Sequence, residues 1–339
     1  MNIPSTKSAL GAAIALTLVA CSGVGDSGVS FIGGGTDVAG IGGSGFISSG
    51  SVTAFGSVFV NGVEFETSTS TFDVDGSPGT QDNLGIGMIV QVSGTINADG
   101  ITGTATNIKF DDQLQGPVSG LQPLVTGSVT RTFAVMGATI IIDSSSTTFD
   151  ISGEDDIPAA TVFNFETISD DNNVEISGFL DSTGKLIATR IELKDITFDP
   201  TSIVEVRGTV SALVNTNFTL KGLNGLTVKV EAASPVIDDL PNDLVEGQLV
   251  EVKGSFDTAS NTISATRVEG EDNTVGDTDE IEVEGIISNY VSDSNFSVDG
   301  LIVDASSATR EPATLVLAND VLVEVEGAIV NGVLVAEKV

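Results

Sequence analysis

Carboxylates are the side chains of this sequence best placed to do chemistry. They gather in four acidic runs: Asp73-Val74-Asp75-Gly76, Glu154-Asp155-Asp156, Asp170-Asp171, and Glu271-Asp272 followed by Asp277, Asp279 and Glu280. Hard cations take several oxygen ligands, so calcium is the ion such runs would hold, with Asp73, Asp75, Glu154, Asp155, Asp156, Asp277 and Asp279 as candidate ligands. None of the runs completes an EF-hand, because Pro78 follows soon after Gly76 and no glutamate stands at the closing position. Solvated loops are the competing explanation. The expectation is no resident cofactor, with calcium the exception to test.

Two guanidiniums, Arg190 and Arg267, stand at matching places, two residues before Glu192 and Glu269. Either could grip a ligand at a barrel mouth. The pattern favours outward-facing residues that balance cross-strand acids. Three further motifs imitate catalytic sites. Gly25-Asp26-Ser27-Gly28 looks like a serine-protease nucleophile segment, but the chain has no His to act as its base. Gly40 to Gly45 matches G-x-G-x-x-G with no clear strand before it and no helix after it. Asp181-Ser182-Thr183-Gly184 is similar to the aspartic-protease turn, yet lacks a second matching turn, and its flanks read as hairpin strands. Glycosidase chemistry needs only two carboxylates, but strand spacing nominates no pair.

Composition narrows the field further. The 339 residues carry 13 Lys and Arg against 47 Asp and Glu, a formal charge of −34, with no His, no Trp and one Cys. Histidine-based catalysis, His-containing zinc sites and an internal disulfide are excluded. A nucleic acid would be repelled by such a charge, and aromatic residues that could stack on bases are scarce, so no nucleic-acid partner is expected.

Strands must position whatever site there is. Beyond Gly50, short alternating apolar and polar runs are punctuated by Gly, Asn-Gly and Asp-Gly, which is the period of half-buried antiparallel strands. One phrase recurs four times: Val90-Gln91-Val92-Ser93-Gly94, Val174-Glu175-Ile176-Ser177-Gly178, Val250-Glu251-Val252-Lys253-Gly254 and Val323-Glu324-Val325-Glu326-Gly327. Each is followed by a second: Ala105-Thr106-Asn107-Ile108, Ala188-Thr189-Arg190-Ile191, Ala265-Thr266-Arg267-Val268 and Ala336-Glu337-Lys338-Val339. Three residues before each opening Val stand Gly87, Asp171, Gly247 and Asp320, all types that tolerate a left-handed backbone, so one turn geometry is implied in every repeat. A glycine ending such a strand lets the sheet coil or bulge and roll into a small barrel. The expected fold is all-β: tandem small antiparallel, OB-like β-barrels over 50–112, 116–195, 203–270 and 280–339, with phenylalanines such as Phe55, Phe59, Phe72 and Phe149 filling cores. Four beads on a string and two larger paired units both fit the length.

At Gly40-Ile41-Gly42-Gly43-Ser44-Gly45, at Ala54-Phe55-Gly56-Ser57-Val58-Phe59-Val60-Asn61-Gly62-Val63, and at the valine-rich and Ala-Thr-Arg-Ile phrases, the chain resembles bacterial envelope proteins containing domain of unknown function 5666. The resemblance covers most of residues 40 to 339 and departs in the fourth unit, where Glu337 replaces Thr. It implies compact β-barrel repeats on lipoproteins and carries over no catalytic residue.

The N-terminus supplies an address. Lys7 precedes an apolar run from Ala9 to Ala20 that has the form of a secretory signal and is too short for a membrane span. It ends in Leu18-Val19-Ala20-Cys21, which resembles the bacterial lipobox and makes Cys21 the expected lipidation site. Ser22, in place of Asp, implies sorting to the outer membrane, on its periplasmic or surface side. The segment 1–20 is thus expected as leader and 21–49 as lipidated Cys and Gly/Ser-rich flexible tether. The function these features suggest is a non-enzymatic, lipid-anchored envelope protein with tandem barrels that bind or scaffold, its partner an envelope protein or polysaccharide. The alternatives are a calcium-responsive adhesion module and a carboxylate-based hydrolase.

Overall fold

The computed structural model describes residues 46–151, 157–233, 235–238, 240, 244–271 and 277–339. Cys21, the leader, nearly all of the tether, and Glu154, Asp155 and Asp156 lie outside the described residues.

Alternation yields strands throughout, and among the described residues the sole helical turn is a 3-10 turn at Gln81–Asn83. Barrel 1 contains β1 (Phe46–Phe55), β2 (Val58–Val60), β3 (Val63–Glu66), β4 (Thr71–Val74), β5 (Ser77–Gly79), β6 (Ile89–Ile96) and β7 (Thr102–Phe110). β1 pairs with β2, β2 with β3, β3 in parallel with β7, β7 with β6, and β6 back with β1. That circuit closes a five-stranded Greek-key barrel of the OB type and leaves β4 as a parallel addition to β7.

The same circuit repeats three times. Barrel 2 uses β8 (Leu114–Ser119), β9 (Thr130–Val135), β10 (Ala138–Asp143), β11 (Thr148–Ile151), β12 (Asn173–Leu180) and β13 (Leu186–Asp195). Barrel 3 uses β14 (Ile203–Val214), β15 (Asn217–Lys221), β16 (Lys229–Glu231), β17 (Val236–Asp238), β18 (Leu249–Asp257) and β19 (Thr262–Gly270). Barrel 4 uses β20 (Thr278–Ser292), β21 (Asn295–Val298), β22 (Leu301–Asp304), β23 (Leu322–Val330) and β24 (Val333–Lys338). Its counterpart to the extra parallel strand is a single bridge between Thr309 and Lys338.

The two repeated phrases are the two sides of one β-bulge. The register between the last two strands of each barrel shifts at Ser93/Gly94, Ser177/Gly178, Lys253/Gly254 and Glu326/Gly327. Thr106, Thr189, Thr266 and Glu337 are the extra residues opposite. The insertion flips the parity of the closing strand, so Ala188 and Ile191 both face the core although three positions apart. A side chain on the bulge glycines would meet the backbone of that strand: a Cβ at Gly178 would lie 2.9 Å from the carbonyl carbon of Ile187 and 3.0 Å from Ala188 Cα. The left-handed turn expected before each phrase is present at all four positions, with φ of 87° at Gly87, 69° at Asp171, 82° at Gly247 and 68° at Asp320.

Val, Ile and Phe fill the barrels. Barrel 1 packs Val58, Val60, Phe65, Val90, Val92, Ile108 and Phe110, and barrel 4 packs Ile281, Val283, Phe296, Val325 and Leu334, joined by Ile47 of β1. Barrels 2 and 3 share one continuous apolar core. Phe72 and Phe149 pack against cores as expected, but Phe55 is exposed and Phe59 only partly covered. Phe55 ends β1 beside the turn to β2, past the point where the strand faces inward.

The barrels are not separate beads. The first strand of each one pairs outside its own barrel: β1 lies parallel to β20 through Ile47–Ile281, Ser48–Glu282 and Ser49–Val283, and β8 lies antiparallel to β14 through Gln115–Glu205 and Leu114–Val206. Two 12-stranded sheets result, one from barrels 1 and 4 and one from barrels 2 and 3. Strand β1 begins at Phe46, inside the segment expected as tether up to 49, because its first residues are needed for the pairing with β20. Likewise β20 begins at Thr278, just before the expected start at 280.

Candidate functional site

The outward positions of the repeated phrases decide what the barrels present to one another. In β12 and β13 the bulge places Glu175, Arg190, Glu192 and Lys194 on the outer face of barrel 2. That face is covered: every residue of β12 from Asn173 to Phe179 is buried. A polar cleft of about 370 Å³ lies there, lined from barrel 1 by Asp75, Asp82, Gly85 and Met88 and from barrel 2 by Asp150 and the four residues just named.

Arg190 is the central cation of this cleft. Its guanidinium pairs with Asp150 at 2.7 Å and Glu192 at 2.8 Å, and donates to the carbonyl of Ile86 in barrel 1 at 3.3 Å. The bulge residue Thr189 donates its hydroxyl to the carbonyl of Gly87 at 2.6 Å, whereas Thr106 and Thr266 bond within their own barrels. Gly85 is glycine because Arg190 occupies the space a side chain would need. The expected pairing of Arg190 with cross-strand acids is present, but the residue faces a neighbouring barrel and is 5% exposed, not turned to solvent. Arg267 takes the same register position, pairs with Asp238 at 3.3 Å and Glu269 at 2.9 Å, and stays partly exposed.

Beside the cleft, barrels 1 and 3 meet the link between β7 and β8. Asp75, which follows β4 at φ 50°, comes together with Asp112 of that link and Glu205 of β14, their ligand oxygens all within 4.8 Å of one another. The Asp112 backbone N–H donates to Asp75 Oδ1 at 2.9 Å, and Lys253 donates to Glu205 Oε2 at 2.6 Å. Asp112 is 2% exposed, and its Oδ1 has no hydrogen-bond partner among the described residues. An unmet buried acceptor costs about 1–3 kcal/mol, more when charged, so it needs a reason. Around the triad run two chains of ion pairs. Arg207 reaches Asp111 at 3.1 Å and Glu271 at 3.4 Å, and Lys253 reaches Glu251 at 3.5 Å. Lys194 joins Glu175 at 3.1 Å to Glu192 at 3.4 Å.

Burial sets the protonation of this junction. It raises Asp112 well above the usual carboxylate range, aided by the charges of Glu205, Glu175 and Asp75, and raises Asp75 despite the N–H it accepts. Burial likewise pushes Glu175 and Glu251 up to about 7, against the pull of Lys194 and of Lys253 respectively. A second carboxylate cluster lies on the β1–β20 seam, where burial and then the charge of Glu324 push Glu282 up to about 8, with Ser48 donating to it at 3.3 Å.

Of the sequence-nominated ligands among the described residues, Asp75 alone joins a group of facing carboxylates. Asp73 lies on β4 opposite Lys109, with a buried Oδ1 that also lacks a hydrogen bond among the described residues. Asp277 and Asp279 are exposed. Asp112 and Glu205 went unnominated because one sits in an apparent linker and the other in a strand whose polar positions read as solvent-facing. The Asp181–Gly184 motif is a hairpin turn: Asp181 Oδ1 accepts from the backbone N–H groups of Thr183 and Lys185, and Ser182 N donates to Asp320 of barrel 4.

The family model described as domain of unknown function (DUF5666) matches residues 44–109, 115–192, 207–269 and 284–339, one match per barrel. No curated protein matches the chain. A solved structure described as drosophila Unr CSD456 is similar at 13% identity, over 64% of this chain and 84% of that one, with a TM-score of 0.18; a likeness of that strength carries no inference. The chain belongs to the DUF5666 family.

Proposed function

We propose that this member of the family is a lipid-anchored protein of the bacterial envelope that works without catalysis, as a scaffold or binding body for an envelope protein or polysaccharide. The observation that carries the reading is the joining of four solid barrels through their first strands. Their interiors are packed with Val, Ile and Phe, so the body offers surfaces and loops instead of a reaction chamber. Arg190, Lys194, Asp150, Glu175 and Glu192 of the cleft are engaged in ion pairs with one another, and no histidine exists to move a proton. OB-type barrels characteristically bind extended polymers across the second and third strands and the adjoining loops. The net charge of −34 turns that capacity away from nucleic acid. Lipid attachment at Cys21 would leave the barrels on a Gly- and Ser-rich tether, free to reach beyond the bilayer surface.

The test has two parts. Expression of the full chain with labelled fatty acid should give label in the protein and recovery in the outer-membrane fraction, both lost in Cys21→Ser. Crosslinking in intact envelopes should then capture a reproducible partner. An unlabelled, freely released protein refutes the anchor, and substrate turnover by the purified chain refutes the non-catalytic reading.

A further inference from the structure

We propose that Asp75, Asp112 and Glu205 form a calcium site that ties barrel 1, the link after it and barrel 3 together. The inference is independent of the anchor and of any partner.

Three observations support it. The first is geometry: calcium binds oxygens at 2.3–2.6 Å, so oxygens sharing one ion lie at most about 4.6–5.2 Å apart, and the three carboxylates offer oxygens within 4.8 Å of one another. The second is the Asp112 carboxyl, 2% exposed and with an Oδ1 that no donor meets among the described residues. A hydrogen-bond donor or a cation is what such an atom lacks, and an all-oxygen set calls for a hard cation. The third is charge. Lys253 reaches Glu205 at 2.6 Å but is shared with Glu251 at 3.5 Å, so the triad gathers more acids than cations, an imbalance that a divalent ion would correct.

Other groups face the triad and are largely spoken for. Asp111 is engaged by Arg207 and Lys109, Glu251 by Lys253, and Glu175 by Lys194. Calcium fits better than magnesium because three protein carboxylates in irregular array suit its flexible coordination, while magnesium demands a near-ideal octahedron and keeps most of its water.

The experiment uses the full chain stripped with a chelator and titrated with CaCl2 up to about 10 mM, tenfold above the weak end of extracellular calcium modules. Heat of binding and melting temperature are both followed. The expected result is one saturable site per chain, a melting temperature that rises with calcium, and a smaller response to MgCl2. Asp112→Asn keeps shape and removes charge, so it should fold and bind calcium at least tenfold more weakly. Glu205→Gln serves the same purpose should Asp112→Asn fail to fold. Asp279→Asn, in an exposed run, should leave binding unchanged. Absence of heat and of a melting shift up to 10 mM overturns the proposal. So does binding that survives both Asp112→Asn and Glu205→Gln, which would place the ion on the solvated acidic loops.

Discussion

Replacing Gly178 by Ala tests the account of the repeated phrases most directly. The new methyl carbon would lie 2.9 Å from the Ile187 carbonyl carbon and 3.0 Å from Ala188 Cα, closer still to the carbonyl oxygen, where ordinary contact begins at 3.4 Å. Overpacking a core typically costs about 1–3 kcal/mol. Here the obstacle is the backbone of β13, which cannot rotate aside as a side chain would, so the upper end, about 3 kcal/mol, is expected. Barrels 2 and 3 share one apolar core and one sheet, so they should melt as a unit of the 150–250-residue class, for which 1 kcal/mol shifts the midpoint by about 2–4 °C. The predicted fall is therefore about 6–12 °C by calorimetry or far-ultraviolet circular dichroism. Were barrel 2 to melt alone, the same cost would give about 12–24 °C. The control is Gly120→Asn: Gly120 has φ 63° with nothing near its Cβ position, and Asn tolerates that backbone, so its midpoint should move by no more than about 2 °C. A Gly178→Ala protein that melts within 2 °C of the parent would refute the bulge as the reason for the glycine.

Two further perturbations probe the seams. Arg190→Ala leaves Asp150 without its cation and Glu192 with only Lys194 at 3.4 Å inside the barrel 1–barrel 2 junction. Breaking a buried pair costs about 3–5 kcal/mol, and the half-exposed Asp150 points to the low end, about 3 kcal/mol, read as a lowered urea midpoint. The pH dependence follows from Glu282, pushed up to about 8, and from Glu175 and Glu251, pushed up to about 7. The folded chain holds these protons where the unfolded chain, with ordinary carboxyls, has released them. Their stabilisation is therefore complete below pH 4.5 and lost as pH rises toward 8. Melting temperature should fall between pH 5 and pH 8.5, and Glu282→Gln should flatten that slope; a slope unchanged in the variant would remove Glu282 as its source. Asp99, Asp143, Asp199, Asp257 and Asp304, held below the usual range by turn hydrogen bonds, act oppositely and lose their contribution on acidification below about pH 4.

The barrels were legible in the sequence because each repeat must solve the same local problem. Valines at alternate positions fix which face is buried, a glycine fixes where the strand can bulge, and Asp171 or Gly87 fixes a left-handed turn, all within a few residues. The paired phrases even carry the two strands of the bulge, although Ala-Thr-Arg-Ile discloses that Thr189 is the inserted residue only once its partner is known. The seams were not legible. Glu175, Glu205 and Lys253 sit at outward positions, and the alternation that marks them as outward is identical whether water or another barrel lies beyond. Asp112 was hidden for a related reason: a polar residue in a linker reads as solvated until two barrels close over it. The candidate calcium run around Asp75 pointed to one ligand of the triad, since the other two come from residues distant in the chain.

The β1–β20 pairing has a consequence for how the chain comes into being. Ser48 and Glu282, 234 positions apart, meet across it, so the first barrel to emerge from the ribosome carries an unsatisfied ribbon edge until the last one arrives. A naked edge of that kind invites neighbours of the same kind to add on. Biogenesis of this protein is thus a race between its own tail and its siblings.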